Sequence, residues 1–120
     1  MAESFTYDNL IVRADFTEAG TLEAGQNLTV GAVLGKVTAT GKLKLNATED
    51  AAGNAISDGS ENPYAILIGD CDASAGDKSC SILKAGVVNE NSLYVGLGQT
   101  VEATKEPMRD IGINYTKGVQ

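Results

Sequence analysis

Tyr64-Ala65-Ile66-Leu67-Ile68-Gly69 is the stretch that decides how this chain folds. It is a continuous apolar run, too short for a helix, and it fits a central strand packed on both faces. On its C-terminal side, Asp70 to Ser79 reads as a polar loop. Beyond that loop, Cys80-Ser81-Ile82-Leu83-Lys84-Ala85-Gly86-Val87-Val88 and Ser92-Leu93-Tyr94-Val95 read as two more strands that reverse at Asn89-Glu90-Asn91. On its N-terminal side, residues 46 to 63 are rich in Asn, Ala, Ser, Asp and Gly and end in Asp58-Gly59-Ser60-Glu61-Asn62-Pro63, which predicts a long surface loop.

Further out, Lys36 to Leu45 reads as a hairpin in which Leu43 and Leu45 point one way and Lys42 and Lys44 the other, so that one face is buried and one wet. Leu28, Val30, Val33, Leu34 and Val37, punctuated by Gly31 and Gly35, predict short, bent strands. Ser4 to Phe16 mixes β-prone with polar residues and lacks helical spacing, so residues 1 to 16 are expected to form an extended N-terminal arm on a single β domain of residues 17 to 120. Helix is expected only at Thr100 to Ile111, between Gly98 and Gly112, with Pro107 placed to start or kink it. There is no repeat or heptad. The fold class is therefore all-β, with long surface loops and one short C-terminal helix.

Composition narrows the function. A chain of 120 residues fits one core. A formal charge of −7 argues against nucleic acid or an anionic membrane as partner, since neither would gain electrostatic energy from contact. No apolar run is long enough to span a bilayer, and Met1-Ala2-Glu3-Ser4 lacks the basic and apolar blocks of a signal peptide, so a cytosolic site of synthesis is expected. With no His, the commonest general base and metal ligand are missing, which removes most nucleophilic enzymes and zinc sites.

The remaining constellations are weak. Asp70, Asp72, Ser74, Gly76 and Asp77 suggest a calcium loop, but the Gly is one place late and Ser81 stands where a bidentate Glu is required. Asp58 and Glu61 read as a solvated acidic turn, so no metal and no cofactor are expected. Asn27, Asn46 and Asn114 begin glycosylation sequons by chance, given the expected site of synthesis, and Gly31–Gly35 and Gly96–Gly98 lack the Lys of a phosphate cradle. Cys71 and Cys80 are sharper: they flank the polar loop and could face each other across the ladder, where a disulfide would add about 2–3 kcal/mol. Cytosolic synthesis argues for free thiols and a later oxidising exterior for the bond, so both states stay open.

Thr21-Leu22-Glu23-Ala24-Gly25-Gln26-Asn27-Leu28, continuing through Gly31-Ala32-Val33-Leu34-Gly35-Lys36-Val37-Thr38, resembles the opening of the phage lambda-type head decoration protein family. Asn62 to Leu67 with Asp70 and Asp72-Ala73-Ser74 resembles its middle. Asn89 to Leu93 and Met108-Arg109-Asp110-Ile111-Gly112-Ile113 resemble its end, so four blocks in order cover most of the chain.

The resemblance implies a β-clip-like fold and a homotrimer that caps three-fold positions of an expanded phage capsid. It would hold the major capsid protein against internal DNA pressure, on the virion exterior after assembly in the host cytoplasm. It also implies that an N-terminal segment reaches the coat: here Ser4, Phe5, Thr6, Tyr7, Asp8, Asn9 and Leu10 have the character to add a strand to a neighbour's edge. An ordinary first strand or an unstructured tail is the alternative for these residues. Such a protein is no enzyme and needs no small-molecule substrate. Two rivals compete: a small-ligand or carbohydrate-binding β module, for which four Tyr, two Phe and no Trp are a thin aromatic stock, and a metal-dependent hydrolase of β-clip type, which would need convergent carboxylates.

Overall fold

A computed structural model describes residues 10 to 117. Among the described residues there are eight strands: β1 (Ile11–Leu22), β2 (Asn27–Leu28), β3 (Val33–Lys36), β4 (Leu43–Leu45), β5 (Pro63–Leu67), β6 (Cys71–Asp72), β7 (Lys78–Asn89) and β8 (Ile113–Thr116). One helix, α1 (Val101–Asp110), precedes β8. The molecule is thus mostly β with one short helix near the C-terminus, as the sequence predicts, and its sheet is mixed.

Six strands form one sheet in the order β1-β4-β3-β5-β7-β8, and β7 also pairs with β1. The sheet therefore closes on itself as a ring, β1-β4-β3-β5-β7, with β8 outside it. β7 makes this possible by its length. One of its edges carries β1 antiparallel from Ile11↔Val88 to Leu22↔Lys78, and the other is shared by β5 (Ile66↔Leu83) and the parallel β8 (Gly86↔Ile113 to Asn89↔Thr116). The ring's weakest seam is β1–β4, which meet in a single parallel pair, Leu22↔Leu43.

Strand alternation sorts side chains into two cores. Leu34, Ala65, Leu67 and Ile82 join Leu22, Leu43, Cys71 and Cys80 in one cluster; their immediate neighbours Val33, Ile66 and Leu83 join Leu10, Val88, Leu93, Met108 and Ile113 in the other. β5 is thus packed on both faces, which is why its sequence is unbroken in apolar residues. The helix closes the second core with Met108. It starts at Thr100, whose hydroxyl accepts from Ala103 N–H at 3.1 Å, and Pro107 lies inside it rather than at its start.

Three expectations are corrected. Ser92 to Val95 is not a strand: Glu90–Ser92 is a 3-10 turn, and only Tyr94 bridges, to Ala32. Asp70 to Ser79 is not all loop, because β6 pairs with β2 in a separate two-stranded sheet and buries Cys71 and Ala73. Within residues 46 to 63, Asn46 and Ser60 are fully buried, and Asn46 Nδ2 donates to the Ser60 carbonyl at 2.8 Å.

Candidate functional site

The long strand β1 holds the surface with the least internal use. One edge is bonded to β7 throughout; among the described residues, its other edge meets no strand before Leu22. Residues 12 to 19 are all exposed, including Val12 at 48% and Phe16 at 55%. Register shifts between Ile11 and Arg13 and on both sides of Phe16 make its outer half irregular, whereas Thr17 to Leu22 pair with Leu83 to Lys78 without a break. Bulges and a charged pair, Arg13 with Asp15 at 2.9 Å, are devices that blunt an edge against chance pairing. The regular stretch from Thr17 to Thr21 is left as the part able to accept another strand.

Beside that stretch lies a cleft of about 250 Å³ lined by Glu18 to Thr21, Lys36, Gly41, Leu43, Tyr64 and Ile82. It exists because β1 touches β4 only at its end, and because residue 20 is Gly: a Cβ there would stand 2.7 Å from Leu43 Cδ1. Lys84 Nζ lies 3.3 Å from the Tyr64 ring centre and donates to the Tyr64 carbonyl at 2.9 Å, while Lys36 Nζ lies 5.0 Å from the same ring. The ring is therefore engaged by cations from within the protein and is a poor platform for a sugar face.

The acidic loops are occupied internally. Asp70 accepts from Val30 N–H and Asp77 from Ala24 N–H, each at 2.9 Å, and Asp72 accepts from Ser74, so these carboxylates serve three different backbone sites and do not converge. Asp58 accepts from Ser60 and pairs with Lys44, and Glu61 accepts from Gly59 N–H. No group of three or more potential ligands is placed to hold a metal ion among the described residues.

The carboxylates that the fold shifts are all pushed down: Asp15 by its hydrogen bond from Arg13, Asp58 from Ser60, Asp72 from Ser74, Asp77 from Lys42 and Glu90 from Lys117. General acid–base work needs one such group held high beside one held low, and these five all move the same way. Their chemistry is that of anchors. Glu90 is the clearest case, its carboxylate holding Lys105 at 3.3 Å and Lys117 at 3.2 Å, and so tying α1 and the chain after β8 to the end of β7.

Of the residues singled out in the sequence, Ser4 to Asn9 lie outside the described residues. Leu10 is only 1% exposed and packs in the second core. Ile11 to Phe16, read as the inner end of the arm, run antiparallel to the second half of β7. Cys71 and Cys80 are free thiols in one core cluster, but they are not ladder partners: Cys71 stands opposite Leu28 and Cys80 opposite Gly20. The open edge of β1 and the Lys–Tyr cleft were not anticipated. Alternation in Phe16-Thr17-Glu18-Ala19 is too weak to announce a strand, and a missing edge partner leaves no mark in sequence.

A search of curated proteins finds no match. A family model does match: it describes the bacteriophage lambda head decoration protein D and covers residues 2–110 of the 120. That span takes in the whole ring, the β2–β6 sheet and α1, leaving outside it Met1 and the end of the chain with β8. With nearly its full length matched in this way, the chain belongs to the bacteriophage lambda head decoration protein D family, a family of structural proteins of the phage head.

Proposed function

We propose that this decoration protein binds as a homotrimer at three-fold sites of an expanded phage capsid, clamps neighbouring copies of the major capsid protein against internal DNA pressure, and catalyses no reaction. The family match over residues 2–110 is the observation that carries this reading. The site chemistry agrees with it: paired carboxylates and an open strand edge suit adhesion, in which binding energy alone stabilises the assembled state. Assembly in the host cytoplasm onto the capsid exterior follows from the same reading.

Within it, Ser4 to Asn9 are the coat contact, adding a strand to an exposed edge of the capsid protein through main-chain bonds. Leu10, which follows this segment, is buried in the second core. Deleting residues 2 to 9 keeps Leu10 and β1 intact. The truncated protein is expected to unfold at the same urea concentration as the full chain, to keep the full chain's oligomeric state in solution, and to co-sediment with expanded, undecorated capsids at least about tenfold more weakly. Undiminished co-sedimentation removes the arm from the interface, and a full-length chain that never attaches to such capsids removes the function itself.

A further inference from the structure

The two cysteines come from different sheets to one place. Cys71 lies in β6, bonded to β2, and Cys80 lies in β7, bonded to β1. Both are buried, at 6% and 7% exposure, in the same core cluster. Cys71 Sγ lies 3.6 Å from the carbonyl oxygen of Ser79, the residue just before Cys80. Burial first, and then the electrostatic interaction with Cys71, push the Cys80 thiol up to about 11.

We infer that Cys71 and Cys80 are an intramolecular disulfide site, closed by a small-molecule disulfide such as oxidised glutathione, that ties the β2–β6 sheet covalently to the ring. One cysteine loses its proton and attacks the small disulfide, breaking that S–S bond and releasing one small thiol. The second then attacks the resulting mixed disulfide, forming the protein S–S bond and releasing the other small thiol. Two protein thiols are oxidised and one small disulfide is reduced to two thiols.

The fold favours this outcome over stable adducts. Leu22, Leu28 and Ile82 belong to the same apolar cluster as the pair, which leaves little room for a retained tripeptide. The members of that cluster carry no positive charge that would hold a thiolate, so the pair suits one slow closure better than repeated turnover. The bond also reinforces a sparsely bonded element, since β6 has two residues and, among the described residues, pairs only with β2.

Incubating the full chain with oxidised glutathione and labelling thiols in denaturant tests the site. Both thiols are expected to disappear together, in a species of monomer mass carrying no glutathione, whose urea midpoint exceeds that of the reduced protein. Cys71→Ser and Cys80→Ser each abolish this species. If the native core excludes the oxidant, adding it during refolding from urea yields the same bond. Glutathione retained on both cysteines, covalent dimers, or two free thiols after oxidative refolding each overturn the inference.

Discussion

β5 and β1 are strands of one ring with opposite circumstances. β5 is five residues long, has a partner on each edge, and buries Ala65, Ile66 and Leu67 completely between two cores. β1 is twelve residues long, has one edge without a partner among the described residues almost to its end, and leaves eight consecutive residues exposed. The lesson is a division of labour. The short strand is where apolar burial stabilises the domain, and the long one carries backbone that the domain holds in place but does not itself consume.

The most direct way to break that contrast is to open a hole in β5. Ile66→Ala removes a fully buried side chain that packs with Val33, Leu83 and Met108 in the second core. The lost transfer energy and the residual cavity together cost about 2–5 kcal/mol. The urea midpoint is expected to fall accordingly, with an unchanged slope. A loss under about 1 kcal/mol would mean that β5 does not hold the two cores together as described.

The enclosed region also answers to alkali, and the sign follows from burial. Cys80 titrates near 9 when unfolded and near 11 when folded, because burial opposes its thiolate. Tyr115, whose hydroxyl meets the Thr104 hydroxyl at 2.6 Å, moves from 10 up to about 12 for the same reason. A folded pKa raised in this way means that the stability from the protonated group is whole below the unfolded value and is lost as pH climbs to the folded one. Urea midpoints should hold steady from neutrality to about pH 9 and then decline toward pH 12. Cys80→Ser should remove the earlier part of the decline and Tyr115→Phe the later part; a decline that neither substitution alters assigns it elsewhere.

How much of this was legible in the sequence tracks the same contrast. β5 announces itself because every residue from Tyr64 to Ile68 is apolar, and α1 because Gly98 and Gly112 bracket it. β1 does not, since its pairing energy comes from main-chain bonds to β7, some sixty residues away, and its side chains are free to be polar. β6 and β8 are too short to carry a pattern. Asn46 does lie in a loop, but it reads as surface rather than buried because its partners, the Ser60 carbonyl and the Gln99 amide at 2.9 Å, are distant in sequence. Distant partners likewise hid the cleft, which takes a lysine from β3, a tyrosine from β5 and the bare backbone of β1 at Gly20 to assemble.

The smallest effect on stability should come with a large effect on binding. Phe16 is 55% exposed, sits between two register shifts and belongs to neither core cluster. Phe16→Ser should therefore change unfolding by no more than about 0.5 kcal/mol. A large apolar ring kept in water on this strand does nothing for the isolated domain, and aromatic side chains dominate the energetics of protein interfaces. If β1 is the strand held ready for another chain, the same substitution weakens co-sedimentation with expanded capsids or lowers the mass of the proposed homotrimer, and the two assays together say which contact it serves. Should both remain at full strength, the exposed half of β1 is spare surface, and the division of labour between the two strands reduces to a difference in burial.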